Sequence, residues 1–288
     1  MPDLLVPVIT PFEHGAVSIV KLRKHSDFLL KKGVDFIFLN GSTGLGPSLN
    51  LNERLSILHA FEDIPEKIIV QVGALNLDES LALAREAAKM KVHAIATLPP
   101  YYYPRLPEEW LIRYFRTIAD VYPTLLYNFP LTTGYDITAE MVGKVLASGA
   151  NIIGIKDTVP DINHMLQLKW STPPDFRVYC GPDPLVMSAL RSGLDGVVGG
   201  SGNYVPQILR TLVDHFNDDT GTRAQKLIQA ITSVARKYGQ WSANYALVEI
   251  LHSHSAGEPR SPIYPLDDAT KSNMAVEVRK VLPDGDSV

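Results

Sequence analysis

The stretch "NIIGIKDT", Asn151 to Thr158, reads as a buried strand, a near-continuous apolar run that stops at a lysine. Apolar residues at consecutive positions describe a strand covered on both faces, as in a parallel sheet with helices packed against it. Lys156 is the anomaly, because burying an ammonium group away from water is expensive.

The same unit recurs in both directions along the chain. Eight candidate strands stand out: "LLVPVI" (4–9), "DFIFLN" (35–40), "KIIVQVG" (67–73), "HAIATL" (93–98), "TLLYNF" (124–129), "IIGIK" (152–156), "RVYC" (177–180) and "DGVVGG" (195–200). Between them lie segments of helical periodicity, among them "VKLRKHSDFLLKKG", "NERLSILHAFED" and "PEEWLIRYFRTIADV". Several carry end signals: Asn50 with Glu53 forms a capping-box pattern, Pro107 and Pro184 suit first turns, and Gly33, Gly149 and Gly193 suit helix exits. Eight βα units of about thirty residues predict a closed (β/α)8 TIM barrel. An open doubly wound sheet would favour a phosphate loop after the first strand, which "VITPFEHG" is not. From "NDDTGTR" (217–223) onward the pattern is helix after helix, so the expected division is a barrel over 1–217 and a C-terminal helical extension over 218–288, with "PDGDSV" as a frayed tail.

Composition narrows the function classes. The 288 residues are 45% apolar and 20% charged, with a formal net charge of −4, which gives no general electrostatic reason to expect nucleic acid or an anionic membrane as partner. Cys180 is the only cysteine, which excludes an intrachain disulfide and a thiolate-rich metal site. The opening "MPDLLVPVITPFEHG" lacks a basic leader and is broken by Pro7 and Pro11, and no apolar run approaches membrane length. A cytoplasmic protein is the expectation.

In such a barrel the chemistry gathers where the strands end, in the βα loops. Lys156 sits there. Desolvation at an apolar barrel mouth favours a neutral amine, the form that attacks carbonyls to make a Schiff base. The competing account is a lysine that snorkels to water or pairs with Asp157. Tyr127 ends the preceding strand and is either a proton carrier beside that amine or an amphipathic core tyrosine. "NGSTG" (40–44) offers the Ser42 and Thr43 hydroxyls and successive N–H groups as a nest for a small carboxylate, or is an ordinary turn. "YYYPR" (101–105) is either a packing staple, as at a subunit contact, or a substrate wall. "GSTGLG" and "GVVGGSG" lack the context of a dinucleotide fingerprint, "HSH" (252–254) reads as a solvated helix face, and "DHFNDD" (214–219) as a helix end.

Taken together, "NGSTGLGPSL", "PPYYYPR", "YNFPLTTG" and "GIKDT" resemble the dihydrodipicolinate synthase and N-acetylneuraminate lyase superfamily of class I aldolases over nearly the whole chain. Within it the chain is most similar to the archaeal 2-keto-3-deoxygluconate aldolases, with "PRSPIYPLDD" (259–268) as a further likeness. The resemblance implies that Lys156 is the Schiff-base lysine, Tyr127 the proton carrier, and Ser42 with Thr43 the pyruvate carboxylate pocket. It implies that Tyr102 reaches across a dimer interface to complete a relay with Thr43 and Tyr127, that Pro7 and Gly181 line the pyruvyl end, and that the assembly is a homotetramer built as a dimer of dimers. No metal or organic cofactor is implied, because the imine is the electron sink.

Departures from the pattern bear on substrate. Thr132 stands in "YNFPLTTG" where the synthases carry an arginine for a semialdehyde carboxylate, which argues against the lysine-pathway reaction. Phe129 replaces a tyrosine of the dual-substrate aldolases, while Arg105 and Arg236 match arginines expected near a distal phosphate. Activity on the free and 6-phosphorylated sugar acid is therefore expected, with the preference open. Thr158 is expected to read substrate hydroxyls. For Asp183 the choice is between that role and a surface cap on "PLVMSALRSG". Other pyruvate-dependent lyases of the superfamily, or a catalytically silent barrel, are the alternatives.

Overall fold

The computed structural model describes residues 1–252 and 254–282; Ser253 and the "PDGDSV" tail lie outside the described residues. Eight strands form the barrel: β1 Asp3–Pro7, β2 Phe36–Leu39, β3 Ile68–Gln71, β4 Ala94–Thr97, β5 Thr124–Asn128, β6 Ile152–Asp157, β7 Arg177–Cys180 and β8 Gly196–Val198. Each pairs in parallel with its sequence neighbours, and β8 closes on β1 through Asp3 opposite Gly196. All eight expected strands form, most of them shorter than the apolar runs that announced them. The surplus residues, such as Val8 and Ile9, are buried in the loops that follow.

The helices that cover the barrel are α1 Ile19–Lys31, α2 Leu51–His59, α3 Leu77–Met90, α4 Glu108–Ala119, α5 Ala139–Ala147, α6 Ile162–Ser171, α7 Val186–Arg191 and α8 Pro206–Asp214. Their ends follow local chemistry. Asn50 and Glu53 close a reciprocal capping box at 3.0 Å in each direction. Gly33, Gly149 and Gly193 take φ of +87°, +80° and +87° at helix exits, a region open to glycine at little cost. Pro107 stands one residue before α4 instead of within its first turn.

Side-chain alternation splits the apolar residues into two packed sets. Leu5, Phe38, Ile69, Ala96, Leu125, Tyr127, Tyr179 and Val198 fill the barrel interior. Leu4, Ile37, Val70, Ile95, Leu126 and Val178 face outward against the helices. In β6 this alternation is interrupted, since Thr124 pairs with Ile152 but the next residue, Leu125, pairs with Gly154. Gly154 has no room for a side chain: a Cβ there would sit 2.4 Å from the Arg177 carbonyl oxygen and 2.9 Å from Leu125 Cδ2. The bulge and this close approach fix which residues of "IIGIK" face inward, and Lys156 is one of them.

Beyond the barrel run α9 Asp219–Lys237, α10 Gln240–Leu251 and α11 Asp268–Val281. The expected succession of helices forms here, with one segment between the last two that the sequence did not announce. Residues 254–267 are not helical, and Glu258 bridges Phe12 in the small antiparallel hairpin (Phe12–Glu13 with Ala16–Val17) that follows β1. This segment borders the mouth of the barrel. Arg260 there grips Glu53 through both Nη atoms and donates to the carbonyls of Ser48 and Gly15. Among the described residues no helix is long and apolar enough to cross a membrane.

Candidate active site

Lys156 and Tyr127 are register partners on adjacent strands, β6 and β5, at their carboxyl ends. Lys156 is 4% exposed, and its Nζ lies 4.1 Å from the centroid of the Tyr127 ring and 5.3 Å from that of Phe38. Snorkelling to water is thereby ruled out. Pairing with Asp157 is ruled out too, since that carboxylate is turned outward and bonded to Asn128, Val159 and His164. The amine occupies a dry aromatic corner of the barrel mouth, where any polar group presented by a ligand interacts strongly.

The Tyr127 hydroxyl points across the mouth and donates to Ser42 Oγ at 3.3 Å, a loose contact for two hydroxyls. In the single chain the tyrosine therefore meets Ser42, and Thr43 stands beside it, half-buried. The loop holding both is built on two non-glycine residues of positive φ, Asn40 at +57° and Leu45 at +56°, and closed by Gly46 N–H to the Gly41 carbonyl. Gly44 faces the β1 loop so closely that a Cβ would sit 2.6 Å from the Val8 carbonyl oxygen. No acceptor among the described residues takes the N–H groups of Ser42 and Thr43, which leaves two donors and two hydroxyls for an anion.

Pro7 is buried at the end of β1, and its carbonyl accepts from Asn203 Nδ2 at 3.0 Å. Gly181 follows β7; a Cβ on it would sit 2.7 Å from Thr158 Cγ2 and 2.8 Å from the Asp157 carbonyl oxygen. The Thr158 hydroxyl donates to the Asn128 carbonyl at 2.7 Å, which leaves its oxygen able to accept a further hydrogen bond. Asp183 is not a surface helix cap. It is 8% exposed, and its carboxylate takes the Ser201 hydroxyl at 3.0 Å and the Ser201 N–H at 3.2 Å. Burial holds the Asp183 carboxyl above the usual range, opposed by the Ser201 hydrogen bonds and by the charges of Arg236 and Lys156.

Phe129 stacks on Tyr127 with ring centroids 6.0 Å apart. Arg105 is exposed in a left-handed conformation, φ +63°, and Arg236 is exposed in the last turn of α9. Beside Ser42 a cavity of about 210 Å³ is lined by Leu45, Leu98, Tyr101, Thr132, Trp241 and Ile263, so α10 and the non-helical segment after it frame the mouth. Tyr102 is not part of this cluster in the single chain. Its ring is 73% exposed and meets Tyr103 edge-on.

Sequence reading missed Phe38, Asn203 and Asn128. Phe38 was legible as an inward position of "DFIFLN"; Asn203, in a loop between β8 and α8, carried no periodic signal. The "HSH" reading is corrected. His252 Nε2 lies 3.0 Å from the Tyr204 carbonyl oxygen, and His254 Nε2 lies 3.0 Å from Nδ1 of the fully buried His25. Burial pushes His25 down to about 3 and His252 to about 4. Among the described residues no group of three or more His, Cys, Asp or Glu side chains is arranged to hold a metal ion.

Residues 1–281 match the model of the dihydrodipicolinate synthetase family. A 2-dehydro-3-deoxy-phosphogluconate/2-dehydro-3-deoxy-6-phosphogalactonate aldolase of Sulfurisphaera tokodaii is 40% identical over 285 residues, covering 97% of each chain. The crystal structure of KD(P)GA from T. tenax superposes with a TM-score of 0.91 at 39% identity, over 97% of this chain and 98% of that one. The Sulfolobus 2-keto-3-deoxygluconate aldolase in complex with D-KDPG superposes with a TM-score of 0.92 at 37% identity, over 97% and 96%. The chain, with its lysine, tyrosine and hydroxyl loop at one barrel mouth, belongs to the dihydrodipicolinate synthetase family.

Proposed function

We propose that this protein is a class I aldolase that reversibly cleaves 2-keto-3-deoxygluconate and its 6-phosphate to pyruvate and glyceraldehyde or glyceraldehyde 3-phosphate. The observation that carries the reading is the pairing of Lys156 with Tyr127 in a dry corner facing the open N–H groups of Ser42 and Thr43. In this account the substrate carboxylate sits on the Ser42–Thr43 loop, with Pro7 and Gly181 lining the pyruvyl end. The Lys156 amine adds to the C2 carbonyl and water leaves, giving a protonated imine. As the imine forms, the Tyr127 phenol gives its proton to the hydroxyl that leaves as water; the phenolate then takes the proton of the C4 hydroxyl, the C3–C4 bond breaks, and its electrons pass into the imine as an enamine. Protonation at C3 and hydrolysis release pyruvate and the free lysine.

Thr158 and Asp183 read hydroxyls of the sugar chain, Phe129 forms an apolar side wall, and Arg105 with Arg236 receives a 6-phosphate. Thr132 leaves no guanidinium for a semialdehyde carboxylate, which sets the synthase reaction aside. The exposed Tyr102 supports a homotetramer, a dimer of dimers in which it completes the neighbour's Thr43–Tyr127 relay. The same reading divides the chain into a catalytic barrel, 1–217, and a helical extension, 218–288, and places the enzyme in the cytoplasm, in sugar-acid breakdown of the Entner–Doudoroff type.

Pyruvate release from each substrate, followed by coupled reduction, tests the substrate assignment. Both forms are expected to turn over. Arg105→Ala is expected to lower kcat/KM for the phosphorylated acid by roughly 10–100-fold, the range of a lost charged hydrogen bond, and to change the free acid much less. Equal losses on both forms would remove Arg105 from phosphate recognition.

A further inference from the structure

Asn203 stands in the turn Gly200–Asn203 between β8 and α8, fully buried, and has no part in the reaction as described. All four of its hydrogen-bonding directions are used. Its Nδ2 donates to the carbonyls of Pro7 and Gly200, each at 3.0 Å. Its Oδ1 accepts from Ile9 N–H at 3.0 Å and lies 3.3 Å from His25 Nε2. Two carbonyls on one side and a backbone N–H on the other allow the amide one orientation, so the proton of neutral His25 belongs on Nε2. His25 Nδ1 is then the bare nitrogen, which accepts from His254 Nε2 at 3.0 Å.

These bonds fasten two backbone segments that wall the mouth. Pro7 and Ile9 flank Val8, whose own N–H is held by the Phe38 carbonyl at 3.2 Å. The Val8 carbonyl oxygen backs onto the hydroxyl loop: a Cβ on Gly44 would sit 2.6 Å from it and 3.0 Å from Thr10 Oγ1. On the β8 side, a Cβ on Gly200 would sit 4.0 Å from Thr43 Oγ1. The loop that offers the open N–H groups of Ser42 and Thr43 therefore rests between the β1 and β8 loops, and one side chain ties both. Without it, two buried carbonyls and a buried N–H lose a partner, and such groups shift to find another.

We propose that Asn203 is a positioning residue for carboxylate binding: by pinning the β1 and β8 loops it holds the Ser42–Thr43 loop in the arrangement that seats the pyruvyl carboxylate. The inference rests on that loop being the carboxylate seat. His25 fixes the Asn203 amide from behind. Neither residue touches substrate, and neither packs on the Lys156 amine, whose neighbours are the rings of Tyr127 and Phe38. The effect therefore falls on how tightly the carboxylate is held and leaves the reactivity of the lysine in place.

Borohydride trapping at increasing pyruvate concentration separates the two quantities. Half-saturating pyruvate reports binding, and the saturating rate reports reduction of the imine once formed. Asn203→Ala is expected to raise half-saturation roughly 10-fold, the scale of lost buried hydrogen bonds, with little change in the saturating rate. His25→Leu withdraws one donor and should raise it roughly threefold, whereas His25→Gln returns an amide donor to the same oxygen and should bring it back toward the wild type. An unmoved half-saturation in Asn203→Ala, or a saturating rate that falls as far as the affinity does, overturns the proposal in favour of a purely structural staple. Should Asn203→Ala fail to fold, identical values for His25→Leu and His25→Gln overturn it equally. The parent protein and a Ser42→Ala, Thr43→Ala double variant keep the readings apart. No adduct on Lys156 in the parent defeats the Schiff-base reading, and an unmoved double variant defeats the carboxylate seat, in either case taking the role of Asn203 with it. A parental adduct and a shifted double variant beside an unmoved Asn203→Ala defeat the role of Asn203 alone.

Discussion

Tyr127 bears the most specific claim at the residue scale. Its ring packs inside the barrel and only its hydroxyl reaches the mouth, toward Ser42. Tyr127→Phe keeps the ring, so secondary structure and melting temperature should be preserved while kcat for carbon–carbon cleavage falls roughly 10²–10³-fold, as for the loss of a general acid–base group. Unchanged turnover would take Tyr127 out of the mechanism. Lys156 was legible in the sequence because a lysine closing an apolar run is conspicuous. Asp157 beside it was equally conspicuous and was one of the alternative partners weighed for the lysine. Strand alternation sends the two side chains to opposite faces, so the Asp157 partner had to come from a helix, and His164 is separated from it by a turn that periodicity does not resolve. For Asp183 the surface-cap alternative stayed open in the sequence because its burial goes with a contact to Ser201, eighteen positions away.

At the scale of elements, β6 decides what Lys156 can do. The bulge beside Gly154 and the absence of a Cβ there bring Arg177 and Leu125 within contact and set the inward phase of the strand. Gly154→Ala forces a methyl group into the Arg177 carbonyl, and overpacking of this kind costs about 1–3 kcal/mol. Chemical denaturation should show that loss, and kcat should drop with it, because β6 can relieve the clash only by shifting Lys156 against Tyr127. A variant as stable and active as the parent would show that the bulge carries no constraint. All eight strands were visible in the sequence, since buried parallel strands advertise themselves as apolar runs. The runs overstate strand length because loops at the barrel ends are buried too. Beyond residue 217 the reading was helix after helix, and the break over 254–267 was not legible because a bridge from Glu258 to Phe12 spans most of the chain and leaves no local pattern.

For the whole molecule, the C-terminal segment is fastened to the barrel by polar contacts that depend on pH. His25 of α1 is buried and donates to or accepts from His254 and Asn203, and His252 reaches the Tyr204 carbonyl. Both His25 and His252 have folded values far below the ordinary 6.5, about 3 and about 4. Their unfolded counterparts bind protons first as pH falls, so the neutral, buried forms stabilise the fold above pH 6.5 and that contribution is lost as pH drops from 6.5 toward 4. Melting temperature should fall by several degrees across this window, and His25→Gln with His252→Gln should flatten the slope. A slope unchanged by these substitutions would place the acid sensitivity elsewhere.

Fold and mouth converge on one amine, and chemical trapping addresses it most directly. Incubating the protein with pyruvate and borohydride, followed by peptide mass mapping, should give one reduced pyruvyl adduct, on the peptide containing Lys156, together with loss of activity. No adduct, or an adduct on another lysine, would contradict the account.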